Sequence, residues 1–415
     1  MSTIIDTIKY WSEDYIKNLE IIPREAYLDY KIDKHFATAY IGIRRSGKTF
    51  IALNKALSQN EKFFYINFED TFFINNNEPE IIDKLLEFYV EIYSKEPSIL
   101  IFDEIQNINH WERALRKYID SKQYKIIVTG SSAKLLSSEL STSLSGRAIE
   151  KKVWPLSFKE YLRFKGINKS PTEKEYLSLL KQYFTRGGFP AIVLEKDHIK
   201  QDEILSQYLN DILYKDIVSR YQIRNVPVFN KIVQYYLTNI SSLHTFNKIK
   251  NAFLIQSETV QDYSAFCENA FLLFFVKKYD LNLKVQSRSP MKVYCIDPGL
   301  RNIKSMSEDI GKIAENIVFI ELKRLGKEIF YHKEKHEVDF LCVEKNKPTE
   351  IIQVTYSNLE NESTYEREVN GALEAMNKYK LNRSLILTKN YRDIKKIKNK
   401  KVVFKPIYEF LTYPN

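Results

Sequence analysis

The chain has 415 residues, 44% of them hydrophobic, and 63 Lys and Arg against 53 Asp and Glu leave a formal charge of +10. That length predicts two or three domains, each able to bury its own core, and the basic excess favours anionic partners, nucleic acid first, while also fitting a merely soluble protein. Cys267, Cys295 and Cys342 are far apart and odd in number, which excludes a disulfide framework or a cysteine zinc site, and with no signal peptide and no apolar run approaching a membrane span the expectation is a cytoplasmic protein with no membrane partner.

In chain order, residues 10–20 read as a short helix leading to Ile22-Pro-Arg-Glu25. An apolar strand over 37–43 then runs into Gly42-Ile-Arg-Arg-Ser-Gly-Lys-Thr49, followed by a helix from Phe50 to Leu57. Strand, G-x-x-x-x-G-K-[ST] and helix together make a phosphate-binding loop, because backbone N–H groups at a helix N-terminus point at the phosphates. Gly42, Arg45, Ser46, Gly47, Lys48, Thr49 and Phe50 are the nucleotide-binding set. Lys48 is expected to reach the β- and γ-phosphates, and Thr49 to take one Mg²⁺ position. Arg24 either approaches the nucleotide from the side or is simply solvated.

A second buried strand, 63–68, and a helix over 81–95 follow. Ser98-Ile-Leu-Ile-Phe-Asp-Glu-Ile105 is then an apolar strand ending in paired carboxylates, 55 residues after Lys48 with one strand between. Asp103 is expected in the Mg²⁺ shell, and Glu104 to polarise the attacking water. The intervening strand places the chain among P-loop ATPases with a catalytic glutamate. Tyr124-Lys-Ile-Ile-Val-Thr-Gly-Ser-Ser132 is a strand ending in hydroxyls; Thr129 or Ser131 is the candidate γ-phosphate sensor, the alternative being hydroxyls that cap a helix over 133–140. Gly146-Arg147 offers a guanidinium to the γ-phosphate, in cis or across a subunit boundary, or else a surface ion pair.

These segments, in this order and joined by Asp-Glu-Ile-Gln-x-x-x-x-Trp111, Leu-x-Gly-Arg147 and Pro155-Leu-Ser-Phe-x-Glu-Tyr161, resemble archaeal and bacterial AAA-type ATPases whose C-terminal region is a domain of unknown function. The likeness continues through Gly187-Gly-Phe-Pro190 to the C-terminus. It implies ATP as the nucleotide.

Residues 205–221 read as helical, followed by helices over 228–239, 245–252 and 257–275 and by strands over 276–284 and 291–296 around a wing, Val285-Gln-Ser-Arg-Ser-Pro290. That is the winged-helix order, and the resemblance implies the same module; acidic Glu258 and Asp262 sit where phosphates would lie in a groove. Farther on, a helix over 311–323, strands over 328–333, 337–343 and 350–355, a helix over 366–379 and a strand over 384–388 resemble the PD-(D/E)XK nuclease-like fold. The resemblance assigns Glu315, Asp339 and Gln353 to its site. Where such nucleases carry an acidic ligand and a lysine, this chain has Gln353-Val-Thr355, so either Glu368 or Arg367 supplies a displaced group or the site is dead. His332 and His336 read as solvated strand-end residues, with a metal pair as the alternative. Lys395–Lys401 reads as a basic, solvated face.

The reading is an α/β protein: a P-loop ATPase of AAA type over 1–185, a helical and winged-helix region over 186–305, and a restriction-endonuclease-like domain over 306–415. The expected ligands are ATP and Mg²⁺. The candidate roles are an ATPase associated with double-stranded DNA, a nucleotide-gated signalling or assembly switch that binds a protein partner or a second copy of itself, and an ATP-gated DNA nuclease in genome defence.

Overall fold

A computed structural model describes residues 3–24, 27, 29–131, 144, 146–167, 169–305, 307, 309–357, 359 and 362–413. Packing divides the chain into Met1–Trp154 and Pro155–Asn415, ahead of the boundary expected near 185.

The first unit is built on five strands, β1 (Ala37–Gly42), β2 (Phe63–Asn67), β3 (Ile99–Asp103), β4 (Lys125–Ser131) and β5 (Ala148–Lys152), in the order β2-β3-β4-β1-β5. All four pairings are parallel. A parallel sheet needs helical crossovers and is covered on both faces, and the strands are near-continuous apolar runs for that reason. Alternate residues serve opposite faces. Ala39, Ile41, Phe64, Phe102 and Val128 pack with Ile82 and Leu85 of helix Glu80–Tyr93 and with Trp111 and Leu115 of helix Trp111–Ser121. Tyr40, Tyr65, Ile101 and Ile127 pack with Ile51 and Ala52 of helix Lys48–Leu57. β4 lies between β1 and β3, so the strand ending in Asp103 is not the neighbour of the strand that feeds the phosphate loop. This is the P-loop NTPase fold with the catalytic-glutamate strand order.

The second unit holds two sheets. Helix Val226–Thr238 is followed by β6 (Leu243–His244), helices Phe246–Phe253 and Ser257–Asn269, β7 (Leu273–Val276) and β8 (Met291–Cys295); the three strands are antiparallel in the order β6-β8-β7. The strand expected over 276–284 stops at Val276. Asp280 and Asn282 accept backbone N–H groups two residues on, and Asn282 caps a short helix, Leu283–Arg288, where the wing was expected. Helix Ile310–Arg324 then leads to β9 (Glu328–Lys333), β10 (Glu337–Glu344) and β11 (Lys347–Thr355). Helix Glu362–Lys378, β12 (Arg383–Thr388), β13 (Asp393–Ile397) and β14 (Lys400–Pro406) complete a six-stranded sheet ordered β13-β14-β12-β11-β10-β9. Its core joins Val338, Ile351, Ile386 and Phe404 to Val369, Ala372 and Met376 of helix Glu362–Lys378. Among the described residues, no helix is long and apolar enough to cross a membrane.

Candidate nucleotide site and a second acidic cluster

The phosphate loop leaves the C-terminal end of β1 and enters helix Lys48–Leu57 through Gly47, whose φ of 93° is a left-handed value suited to glycine. No side chain caps that helix, which leaves its first N–H groups directed into the loop. Ser46 is fully buried and its hydroxyl has no hydrogen-bond partner among the described residues. Unsatisfied donors at a helix N-terminus are what an anion would complete. The Lys48 ammonium, itself buried, is held by the carbonyls of Gly42 and Ile43 at 3.2 and 3.3 Å and lies 3.7 Å from Glu104.

Across the loop, Thr49 donates its hydroxyl to Asp103 Oδ2 at 2.7 Å, and the Tyr65 hydroxyl donates to the same oxygen at 3.0 Å. Thr129 donates to Asp103 Oδ1 and accepts the Glu104 N–H at 3.1 Å, so one hydroxyl ties both carboxylate residues to β4. Ser131, the other sensor candidate, reaches Glu104 through its backbone N–H at 3.2 Å; the helix expected over 133–140 lies outside the described residues. Glu104 adopts a left-handed backbone, φ 51° and ψ 45°, which is costly for a residue with a β-carbon and is found where a site over-determines it. Burial, then the adjoining Glu104, pushes the Asp103 carboxyl up to about 6. Burial also acts to raise Glu104, but Lys48, Gln106, Arg44 and the Ser131 N–H together outweigh it and hold that carboxyl below the usual range. Two adjacent acids therefore differ in proton affinity. Thr49 and Asp103 present hard oxygen donors side by side, a set that fits Mg²⁺.

The structure brings Gly42 to Phe50, Asp103, Glu104 and Thr129 together, but not Arg147. The Arg147 carbonyl accepts the Ala37 N–H at the start of β1, and its guanidinium pairs with Asp120 at 2.8 Å. At about 3.3 Å per strand residue, that is roughly 17 Å from the loop at the other end of β1. A cis contact between Arg147 and the γ-phosphate is thereby corrected. Arg24 is not solvated: it is buried, donating to the Ser46 carbonyl of the phosphate loop at 2.9 Å, with Tyr27 against its guanidinium. Tyr65 was not singled out from sequence, although strict alternation in β2 puts it on the face of β3 that bears Asp103.

In the second unit, Glu315 on helix Ile310–Arg324 and Asp339 on β10 converge on Lys292, a residue absent from the expected set, and Gln353 on β11 joins them through the Asp339 N–H at 3.0 Å. The Lys292 ammonium, from β8, lies 2.8 Å from Asp339 Oδ1, 2.8 Å from Glu337 Oε1 and 3.1 Å from Glu315 Oε1. His332 is fully buried rather than solvated, between the Tyr379 hydroxyl at 2.9 Å and Glu374 at 3.2 Å.

A family model described as an AAA domain matches residues 34–162, and one described as a domain of unknown function matches residues 177–309. The uncharacterized protein MJ1544 of Methanocaldococcus jannaschii is 36% identical over 416 residues, covering 95% of this chain and 91% of its own length. An uncharacterized protein of Haemophilus influenzae is 30% identical over 406 residues, covering 92% and 97%. Among solved structures, the Aeropyrum pernix ORC1 protein in complex with DNA matches at 13% identity over 75% of this chain and 96% of its own, with a TM-score of 0.33.

Proposed function

Because the chain belongs to the family represented by the Methanocaldococcus jannaschii and Haemophilus influenzae proteins, with an AAA-type P-loop ATPase domain, we propose that it hydrolyses ATP at the β–γ bond in a Mg²⁺-dependent reaction. The observation that carries this is the convergence of the Thr49 hydroxyl and the Asp103 carboxylate at 2.7 Å below an uncapped helix N-terminus, with Glu104 fixed beside them. Thr49 and Asp103 would hold Mg²⁺, whose charge would offset that of the β- and γ-phosphates. Lys48 exchanges its two loop carbonyls for phosphate oxygens and relinquishes Glu104, which takes a proton from the attacking water. Thr129, bonded to both carboxylate residues, fixes their positions as the phosphate leaves. Arg147, paired with Asp120 at the far end of β1, would reach a γ-phosphate only from a neighbouring copy. The test is steady-state ATP turnover by the wild type and Glu104→Gln; absence of any Glu104-dependent turnover would overturn the reading.

A second reading, contact with double-stranded DNA, is favoured by the order helix, strand, two helices and hairpin over 226–295 and by four exposed cations, Lys248, Lys250, Lys284 and Arg288. The exposed face of helix Ser257–Asn269 carries Glu258, Asp262 and Glu268 and repels phosphate. The contact we propose therefore runs through helix Phe246–Phe253 and the segment Leu283–Arg288 rather than by insertion of that acidic helix into a groove. DNA affinity falling steeply with salt, and a shallower slope in Lys284→Glu/Arg288→Glu, are the expected results. Affinity indifferent to salt and to those substitutions would favour a protein partner instead.

A further inference from the structure

Nuclease-like folds of this kind hold a metal ion between the acid on the second strand of the core and its neighbours, and the residues present here do not fit one. An ammonium has three N–H donors and no acceptor. All three donors of Lys292 end on carboxylate oxygens, those of Glu315, Glu337 and Asp339, and the side chain is 2% exposed. The remaining groups are also committed. Asp339 Oδ2 accepts the Val354 N–H at 3.0 Å, and Glu315 Oε1 also accepts the Tyr294 hydroxyl at 2.7 Å. Gln353 turns its carbonyl to the Asp339 N–H at 3.0 Å and its amide to Glu368 at 2.6 Å, so it faces no ion. Arg367 in turn lies on Glu368, and the Thr355 hydroxyl on Ser357. A divalent ion here would need oxygen ligands at about 2.0–2.6 Å, in space a lysine already fills and beside a like charge.

We propose that Lys292 is a built-in cation that takes the place of the metal ion, so that this domain is a non-cleaving scaffold in which three carboxylates pin strand β8 to helix Ile310–Arg324 and to β10. The pinning spans elements far apart in sequence: Lys292 lies on the central strand of the three-stranded sheet, whereas Glu337 and Asp339 lie in the six-stranded one. Tyr294, two residues on and therefore on the same face of β8, completes the bridge through Glu315.

The experiment is Mn²⁺ binding, by calorimetry and by the solution Mn²⁺ electron paramagnetic resonance signal, on the nucleotide-free full chain. Four forms are compared: wild type, Asp339→Asn, Lys292→Ala, and Lys292→Ala/Asp339→Asn. The expected result is equal Mn²⁺ stoichiometry in wild type and Asp339→Asn, one additional bound ion in Lys292→Ala, and its loss in the double variant. Lys292→Arg should keep the wild-type stoichiometry. Loss of a bound ion in Asp339→Asn, or no gain in a folded Lys292→Ala, overturns the proposal. Should Lys292→Ala fail to fold, the comparison of wild type with Asp339→Asn still decides, together with nicking of supercoiled DNA in Mn²⁺. Nicking by the wild type that both Asp339→Asn and Lys292→Arg abolish would make Lys292 a water-orienting residue of a working nuclease and refute the substitution of lysine for metal.

Discussion

Thr49 and Asp103 meet at 2.7 Å, and the acceptor in that hydrogen bond is a fully buried carboxyl whose proton affinity is raised to about 6. Burial is the leading cause. The native state therefore binds a proton more tightly than the unfolded chain, whose carboxyl titrates near 3.8. Between those two values the folded form carries more protons, so stability falls as pH rises through the window and then levels above about pH 6. At 1.36 kcal/mol per unit the cost of the ionised group is on the order of 3 kcal/mol at neutral pH. Asp103→Asn should raise the melting temperature of the nucleotide-free protein at pH 7.5 by a few degrees, with the gain shrinking towards pH 4. The same substitution should abolish Mg²⁺-dependent turnover. Melting curves at pH 4.5, 6 and 7.5 check the first part; a destabilised Asp103→Asn at pH 7.5 would show that its three hydroxyl donors outweigh burial.

Glu104 sits between Lys48 and the backbone of β4, with its carboxyl held below the usual range and therefore ionised at neutral pH. An ionised acid beside the phosphate loop can accept a proton, the role we propose for Glu104. Glu104→Gln keeps the shape and removes the base, so single-turnover hydrolysis should slow by about 10²–10⁴-fold, while ATP affinity changes little. Rapid-quench hydrolysis beside nucleotide filter binding separates the two effects. A rate within tenfold of wild type would take the general base away from Glu104.

Arg24 supports the loop from behind. The residue is 4% exposed, and its guanidinium donates to the Ser46 carbonyl at 2.9 Å. A hydrogen bond from a buried charge to a carbonyl contributes about 1.5–3 kcal/mol, and the Tyr27 ring beside it adds a cation–π contact. Arg24→Ala should lower stability by about 2–3 kcal/mol and raise the KM for ATP more than it lowers kcat, because the loop loses its position and not its chemistry. Urea unfolding and an ATP titration measure both. An unchanged KM with lower stability would confine Arg24 to the fold.

The candidate nucleotide site was legible because its residues are local: a contiguous loop, and two acids at the end of one strand. What sequence did not reveal depends on register. Tyr65 meets Asp103 because β2 pairs with β3 at Asn67 and Asp103, and Arg24 meets Ser46 because an irregular segment folds beneath the loop. Lys292 precedes the helix and strands that carry its three carboxylates, so no linear motif contains it. A lysine and a tyrosine alternating with apolar residues in Met291-Lys-Val-Tyr-Cys295 were the one available signal. The β13–β14 hairpin was hidden differently. Lys395, Lys396, Lys400 and Lys401 read as a solvated run, yet an edge hairpin tolerates such charges and uses them to block pairing with other chains.

The last prediction concerns Gly187, in the Gly-Gly-Phe-Pro segment. It has φ +76°, and a β-carbon there would lie 1.9 Å from Asp297 Oδ1. That carboxyl is fully committed: Oδ2 accepts the Gly188 N–H at 2.7 Å and Oδ1 the Gly299 N–H at 2.8 Å, as the N-cap of helix Pro298–Lys304. Alanine at 187 must therefore strain the backbone and displace a buried acid from two donors. Strain of about 1–3 kcal/mol and one or two orphaned N–H groups at about 1–3 kcal/mol each put the loss at roughly 3–5 kcal/mol. The two residues should be coupled. Asp297→Ala alone orphans the same donors, but in Gly187→Ala/Asp297→Ala the clash is gone and only the backbone strain is added. The double variant should thus be less destabilised than the sum of the singles by 1 kcal/mol or more, about the scale of contacting residues. Urea midpoints of the four proteins close the cycle; strict additivity would mean that Gly187 is needed for its backbone angle alone and that Asp297 yields to a methyl group without loss.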